Sequence, residues 1–141
     1  MHTVEVTVQN FVSTIEKPGI VLLDWWAAWC GPCRMFAPVF EAAAGQHKDI
    51  VFGKVDTEAQ QELGAAFNVR AIPTLMAFRD GILVFSQAGA LPGKAVEELI
   101  TKIQALDMDE VRGKVAEARK EYEKAQKDDN APTDEQPAQS A

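Results

Sequence analysis

The chain has 141 residues, enough for one domain that buries roughly two-thirds of the surface its unfolded chain exposes. It is 47% apolar and 25% charged, as globular proteins are, and its formal net charge of −7 argues against a nucleic-acid partner, which needs clustered Lys and Arg. No apolar run approaches the roughly 20 residues of a membrane span, and residues 1–11 lack a basic head and apolar core, so the expected compartment is a reducing cytoplasm.

In chain order, Val4–Val8 alternates apolar and polar residues like a half-buried strand, with a helix expected before the next strand. Ile20–Trp26 is almost continuously apolar, as a central strand covered on both faces would be. A helix is expected from about Gly31 to His47, kinked by Pro38, and a strand over Ile50–Asp56. Thr57-Glu58-Ala59-Gln60 reads as a capping box opening a helix that fades at Asn68. Thr74–Arg79 and Ile82–Gln87 flank Asp80-Gly81, a dipeptide that favours a type I′ hairpin. Val96, Leu99, Ile100, Ile103 and Leu106 recur at helical spacing and predict a core-facing stripe. This order predicts an α/β class with a mixed central sheet, parallel first and antiparallel at the end, and helices on both faces.

Composition changes near residue 106. Every Trp, Phe, Leu, Ile and Cys lies before that point, while residues 107–141 carry 10 acidic and 6 basic side chains. The expected organisation is a domain over 1–106, a charged amphipathic helix over 107–127 and a disordered tail over 128–141. Met108, Val111, Val115, Ala118, Tyr122 and Ala125 form a heptad-like stripe too short for a stable coiled coil. Such a stripe can dock on the domain, pair two chains weakly, receive a partner, or remain a solvated helix.

The chemistry centres on the only two cysteines, in Trp29-Cys30-Gly31-Pro32-Cys33. Cysteines three apart on a helical turn face the same way and meet disulfide geometry. Cys30 falls at the helix start, where unpaired N–H groups and the helix dipole stabilise an anion, which makes it the nucleophile. Cys33, one turn in, is expected to be more buried and to resolve the mixed disulfide. Half a zinc site is the alternative, but tetrahedral zinc wants four ligands, and only His2 and His47 remain, neither at a useful spacing. No metal or cofactor is therefore expected on the chain.

Asp24-Trp25-Trp26-Ala27-Ala28-Trp29-Cys30-Gly31-Pro32-Cys33, then Ala37-Pro38, Ile72-Pro73-Thr74, Asp80-Gly81 and Gly89-Ala90 resemble the thioredoxin family in order and spacing, over about residues 3–106. Two departures stand out: Trp25, where the family usually has Phe, and everything after residue 106. The resemblance implies a thioredoxin fold and reduction of protein disulfides, the Gly-Pro pair being that of the reducing members. It also implies recycling by a flavoprotein thioredoxin reductase that draws on NADPH. It further implies that Asp24 takes the proton from Cys33 through a water, with Lys54 favouring its charged form. On residues alone, Asp24 interrupts an apolar run between Leu22, Leu23, Trp25 and Trp26, so a buried carboxyl with a raised pKa is expected ahead of a solvent-facing strand end, whereas Lys54 reads equally well as an exposed edge lysine. The resemblance implies a cis Ile72–Pro73 bond against the two sulfurs, where the residues alone favour a trans strand-start proline. It places Trp29, Gly31, Pro32, Ile72, Pro73, Gly89 and Ala90 on the substrate-binding face, with Trp29 as an apolar lip, while Trp25 and Trp26 read as core because a tryptophan is more often core than binding site. Gly89-Ala90 also fits a simple turn. A non-catalytic interaction module and a dedicated reductant of one partner chosen by the C-terminal helix are the alternative functions.

Overall fold

The computed structural model of the chain describes residues 2–129. The chain divides into two compact units, one ending at Ala105 and the other starting at Leu106. The first contains β1 (Val4–Glu5), α1 (Phe11–Ile15), β2 (Ile20–Trp26), α2 (Gly31–Gln46), β3 (Val51–Asp56), α3 (Gln61–Ala66), β4 (Thr74–Arg79), β5 (Ile82–Ala88) and α4 (Gly93–Gln104). Its sheet runs β1-β3-β2-β4-β5, parallel across the first three strands and antiparallel across the last three. This is the mixed sheet the element order predicts.

β2 lies at the centre, and its alternating side chains feed two layers. Val21, Leu23 and Trp25 pack with Phe11 of α1 and Leu63 of α3 on one face. On the other, Phe40 of α2 meets Phe52 of β3 edge to face, with ring centroids 5.2 Å apart, and α4 packs against α2. Between β4 and β5, Asp80 and Gly81 have φ of 52° and 83°, the two left-handed positions that a type I′ hairpin requires. Gly53 of β3 has no room for a side chain, because a Cβ there would lie 2.6 Å from Val6 Cγ2.

Three sequence expectations fail locally. The first strand is two residues long instead of five, with Val6 buried but Val4 and Val8 about half exposed. The Val6 N–H still bonds to Lys54 O, but Asn10 then ends the strand, accepting from Thr7 N–H and donating to Glu5 O. The capping box at Thr57 does not form, and α3 begins at Gln61 without a side-chain cap. Thr57 instead spends its N–H and its hydroxyl on the Trp26 carbonyl. Finally, α4 ends at Gln104, so Leu106 lies beyond the helix whose stripe it was expected to extend.

In the second unit, α5 (Met108–Asp129) starts at Asp107, whose Oδ1 accepts the N–H groups of Asp109 and Glu110 at 3.0 and 3.2 Å. Arg112–Asp109 and Lys114–Glu110 ion pairs follow along its surface, and Val115 and Tyr122 are exposed. The helix runs on through Asp129, two residues past its expected end, and residues 130–141 of the expected tail lie outside the described residues.

Candidate active site

The chain leaves β2 through Ala27–Trp29 and enters α2 at Cys30, the helix N-cap, in extended conformation. Cys30 Sγ accepts the backbone N–H of Cys33 at 3.1 Å, the bond a capping side chain makes to the third residue of a helix. Gly31 and Pro32 occupy the exposed first turn, where the missing proline N–H leaves no bond unmade. Cys30 and Cys33 form a disulfide with Cα atoms 5.2 Å apart. Both are buried, at 4% and 3% exposure, so they do not differ in burial as the sequence suggests. What separates them is position: only Cys30 caps the helix.

The cysteines and Ala27 form a small apolar cluster, with Trp26 and Ile72 packed against it. Cys30 Sγ lies 3.7 Å from the Ile72 carbonyl oxygen. The Ile72–Pro73 peptide is cis, and the buried Pro73 offers its carbonyl to Gly89 N–H at 2.8 Å. Gly89, at φ 106°, adopts a conformation that only glycine takes readily. Four of the sequence-selected residues, Cys30, Cys33, Ile72 and Pro73, thus gather at one point, with Gly89 tied to the last. Ala90 follows in the exposed loop.

Asp24 is fully buried, on β2 opposite Lys54 of β3 in the parallel register. Asp24 is thus buried, as its apolar neighbours predict, and does not face solvent, while Lys54 is not on an edge strand, since β3 lies between β1 and β2. Neither Asp24 oxygen has a hydrogen-bond partner in the protein, and Lys54 Nζ stands 3.9 Å from Oδ2, an ion-pair distance. Burial raises the Asp24 carboxyl to about 6, and the Lys54 charge offsets part of that rise. Lys54 also lies over the Trp26 ring, 5.1 Å from its centroid. Trp25 is in the core against Phe11 and Phe67, and its indole N–H has no partner.

Trp29 is 66% exposed, and its indole Nε1 donates to Glu58 Oε1 at 2.9 Å. Glu58 was not singled out by sequence, where it reads as the interior of a capping box. No local pattern marks a partner 29 residues away. Arg34 was likewise missed; its Nη1 donates to Ala28 O at 3.4 Å, across the turn before Cys30. Among the described residues no group of three or more His, Cys, Asp or Glu could hold a metal ion, and no helix is long and apolar enough to cross a membrane.

The model of the family described as Thioredoxin matches residues 2–104. A curated relative from Streptomyces coelicolor, described as putative thioredoxin 2, is 55% identical over 115 residues, covering 82% of this chain and 86% of its own. Thioredoxin of Bacillus subtilis is 40% identical, over 72% of this chain and 98% of its own. Among solved structures, a mutant thioredoxin from Halobacterium salinarum superposes with a TM-score of 0.70 at 34% identity, over 75% of this chain and 94% of its own.

Proposed function

Because this chain belongs to the thioredoxin family and is a protein thiol–disulfide oxidoreductase, we propose that it reduces substrate disulfides with Cys30 attacking and Cys33 resolving. The observation that carries this assignment is the N-cap position of Cys30, whose sulfur already accepts the Cys33 N–H at the positive end of α2. A thiolate there gains from both the hydrogen bond and the helix dipole, and a lowered thiol pKa follows.

The Cys30 thiolate attacks one substrate sulfur, a Cys30–substrate bond forms, and the substrate's other sulfur leaves as a thiolate that takes a proton from solvent. Cys33 then gives its proton to the Asp24 carboxylate through a water and attacks Cys30 Sγ. The second substrate sulfur leaves, and two electrons have moved from the dithiol to the substrate. A carboxyl raised to about 6 suits this step, since it is mostly ionised at neutral pH yet basic enough to accept a proton. Lys54 keeps that carboxyl in its charged form. The substrate chain docks in extended conformation along Ile72 and Pro73, with Trp29, Gly31, Pro32, Gly89 and Ala90 around it.

The oxidised protein is recharged by a flavoprotein reductase drawing on NADPH, and the setting is the cytoplasm, where such a disulfide is transient and catalytic. The test is insulin reduction, first with dithiothreitol and then with thioredoxin reductase plus NADPH. Turnover with both supports the reading. A folded protein inactive with both would favour a non-catalytic interaction module.

A further inference from the structure

An exposed tryptophan side chain ordinarily samples several rotamers, and at Trp29 the loop after β3 supplies a hydrogen bond that favours one of them. Asp56 Oδ1 accepts the N–H groups of Glu58 and Ala59 at 2.9 and 3.4 Å, which fixes the turn after β3. Thr57 N–H and Oγ1 both bond to Trp26 O, at 2.9 and 3.0 Å, and tie that turn to the end of β2. Glu58 is held between these anchors, and its carboxylate accepts the Trp29 indole N–H at 2.9 Å. Trp29 precedes the N-cap cysteine directly, so the loop after β3 sets the orientation of the aromatic surface beside the reactive sulfur.

We infer that Glu58 is a positioning residue for substrate capture, acting through Trp29 so that a polypeptide flanking the disulfide meets a preformed aromatic lip. The inference rests on the disulfide-reduction reading above. A lip fixed before binding spares the complex the entropy of ordering a large side chain, which improves affinity without touching the chemical step. A small disulfide that reaches Cys30 without lying across the lip gains nothing from it. Glu58 therefore separates protein substrates from small ones by KM.

The full chain, Glu58→Ala and Glu58→Gln are compared in dithiothreitol-driven insulin reduction. The pre-reduced proteins are also followed by stopped flow against dithiobis(nitrobenzoic acid). Glu58→Ala should raise the insulin KM about fivefold with kcat unchanged, the cost of ordering one large side chain on binding. It should leave the small-disulfide rate as it was. Glu58→Gln, whose amide oxygen still accepts the indole proton, should restore the KM. Hydrogen exchange at Trp29 Nε1, read by NMR, should be slow in the full chain and Glu58→Gln and fast in Glu58→Ala. Should Glu58→Ala not fold, Glu58→Leu keeps the side chain's bulk without an acceptor for the indole proton and should reproduce the same KM rise. An unchanged insulin KM with a freed indole would overturn the inference, and so would equal slowing with both substrates. An unsubstituted chain that fails to reduce insulin would overturn the reduction reading as well, so the two failures are distinguishable.

Discussion

Asp24 and Lys54 face each other across the parallel β2–β3 pair, with Oδ2 and Nζ 3.9 Å apart, the carboxyl fully buried and the ammonium at a quarter exposure. Desolvation outweighs the attraction here, since the carboxyl rises to about 6 from an ordinary value of 3.8 even with a cation beside it.

That rise makes Asp24 a destabilising group at neutral pH. The folded protein binds the proton more tightly than the unfolded chain, so the contribution is fully favourable below pH ~4 and is lost as pH climbs to about 6. The loss is about 3 kcal/mol, at 1.36 kcal/mol per unit. Asp24→Asn should therefore be more stable than the parent at pH 7.5 by roughly that order and lack this pH dependence, while reducing insulin more slowly. Denaturant melts at pH 4 and pH 7.5 check the first half. A mutant less stable at pH 7.5 would contradict it.

Lys54→Met removes the one cation that lowers the Asp24 carboxyl. The carboxyl should then rise further, and the rising limb of the pH profile of insulin reduction should move to higher pH. Stability at pH 7.5 should fall, because a buried charge loses its partner. A profile that stays in place would show that Lys54 does not act on this group, and one that moves to lower pH would contradict the sign.

The sequence reads well where local pattern and tertiary packing agree. The apolar run of β2, the Asp80-Gly81 hairpin and Cys30 at the start of α2 all emerge as expected, because each is decided by neighbours within one turn or strand. The failures share a different cause. Thr57 carries the right side chain for a helix cap but lies within reach of the Trp26 carbonyl, which is invisible until β2 and β3 are in register. The Asp24–Lys54 pairing depends on that same register, so the residues alone predict the burial of Asp24 from its apolar neighbours but leave Lys54 ambiguous. Glu58 is the sharpest case, since its partner is decided by where two loops meet.

A chain ending at Leu106 keeps every strand and helix of the first unit. It should fold and reduce insulin at close to the full-length rate, because every group with a proposed role in the reaction lies before that point. Replacing Val111, Val115 and Tyr122 with Ser should weaken any self-association or partner capture through α5 and spare insulin reduction. A tenfold or greater loss of activity on truncation, with folding verified by circular dichroism, would make α5 a support of the active site.

The division of labour between the cysteines is the central claim, and alkylation of the reduced protein tests it most directly. At pH 7, mass-resolved labelling with iodoacetamide should modify Cys30 first, with a rate profile that bends below the ordinary thiol pKa of about 8.5, while Cys33 reacts slowly. Cys33→Ser should correspondingly accumulate mixed disulfides with substrates, and Cys30→Ser should form none. Faster labelling of Cys33 than of Cys30 would contradict the assignment of the N-cap cysteine as the nucleophile.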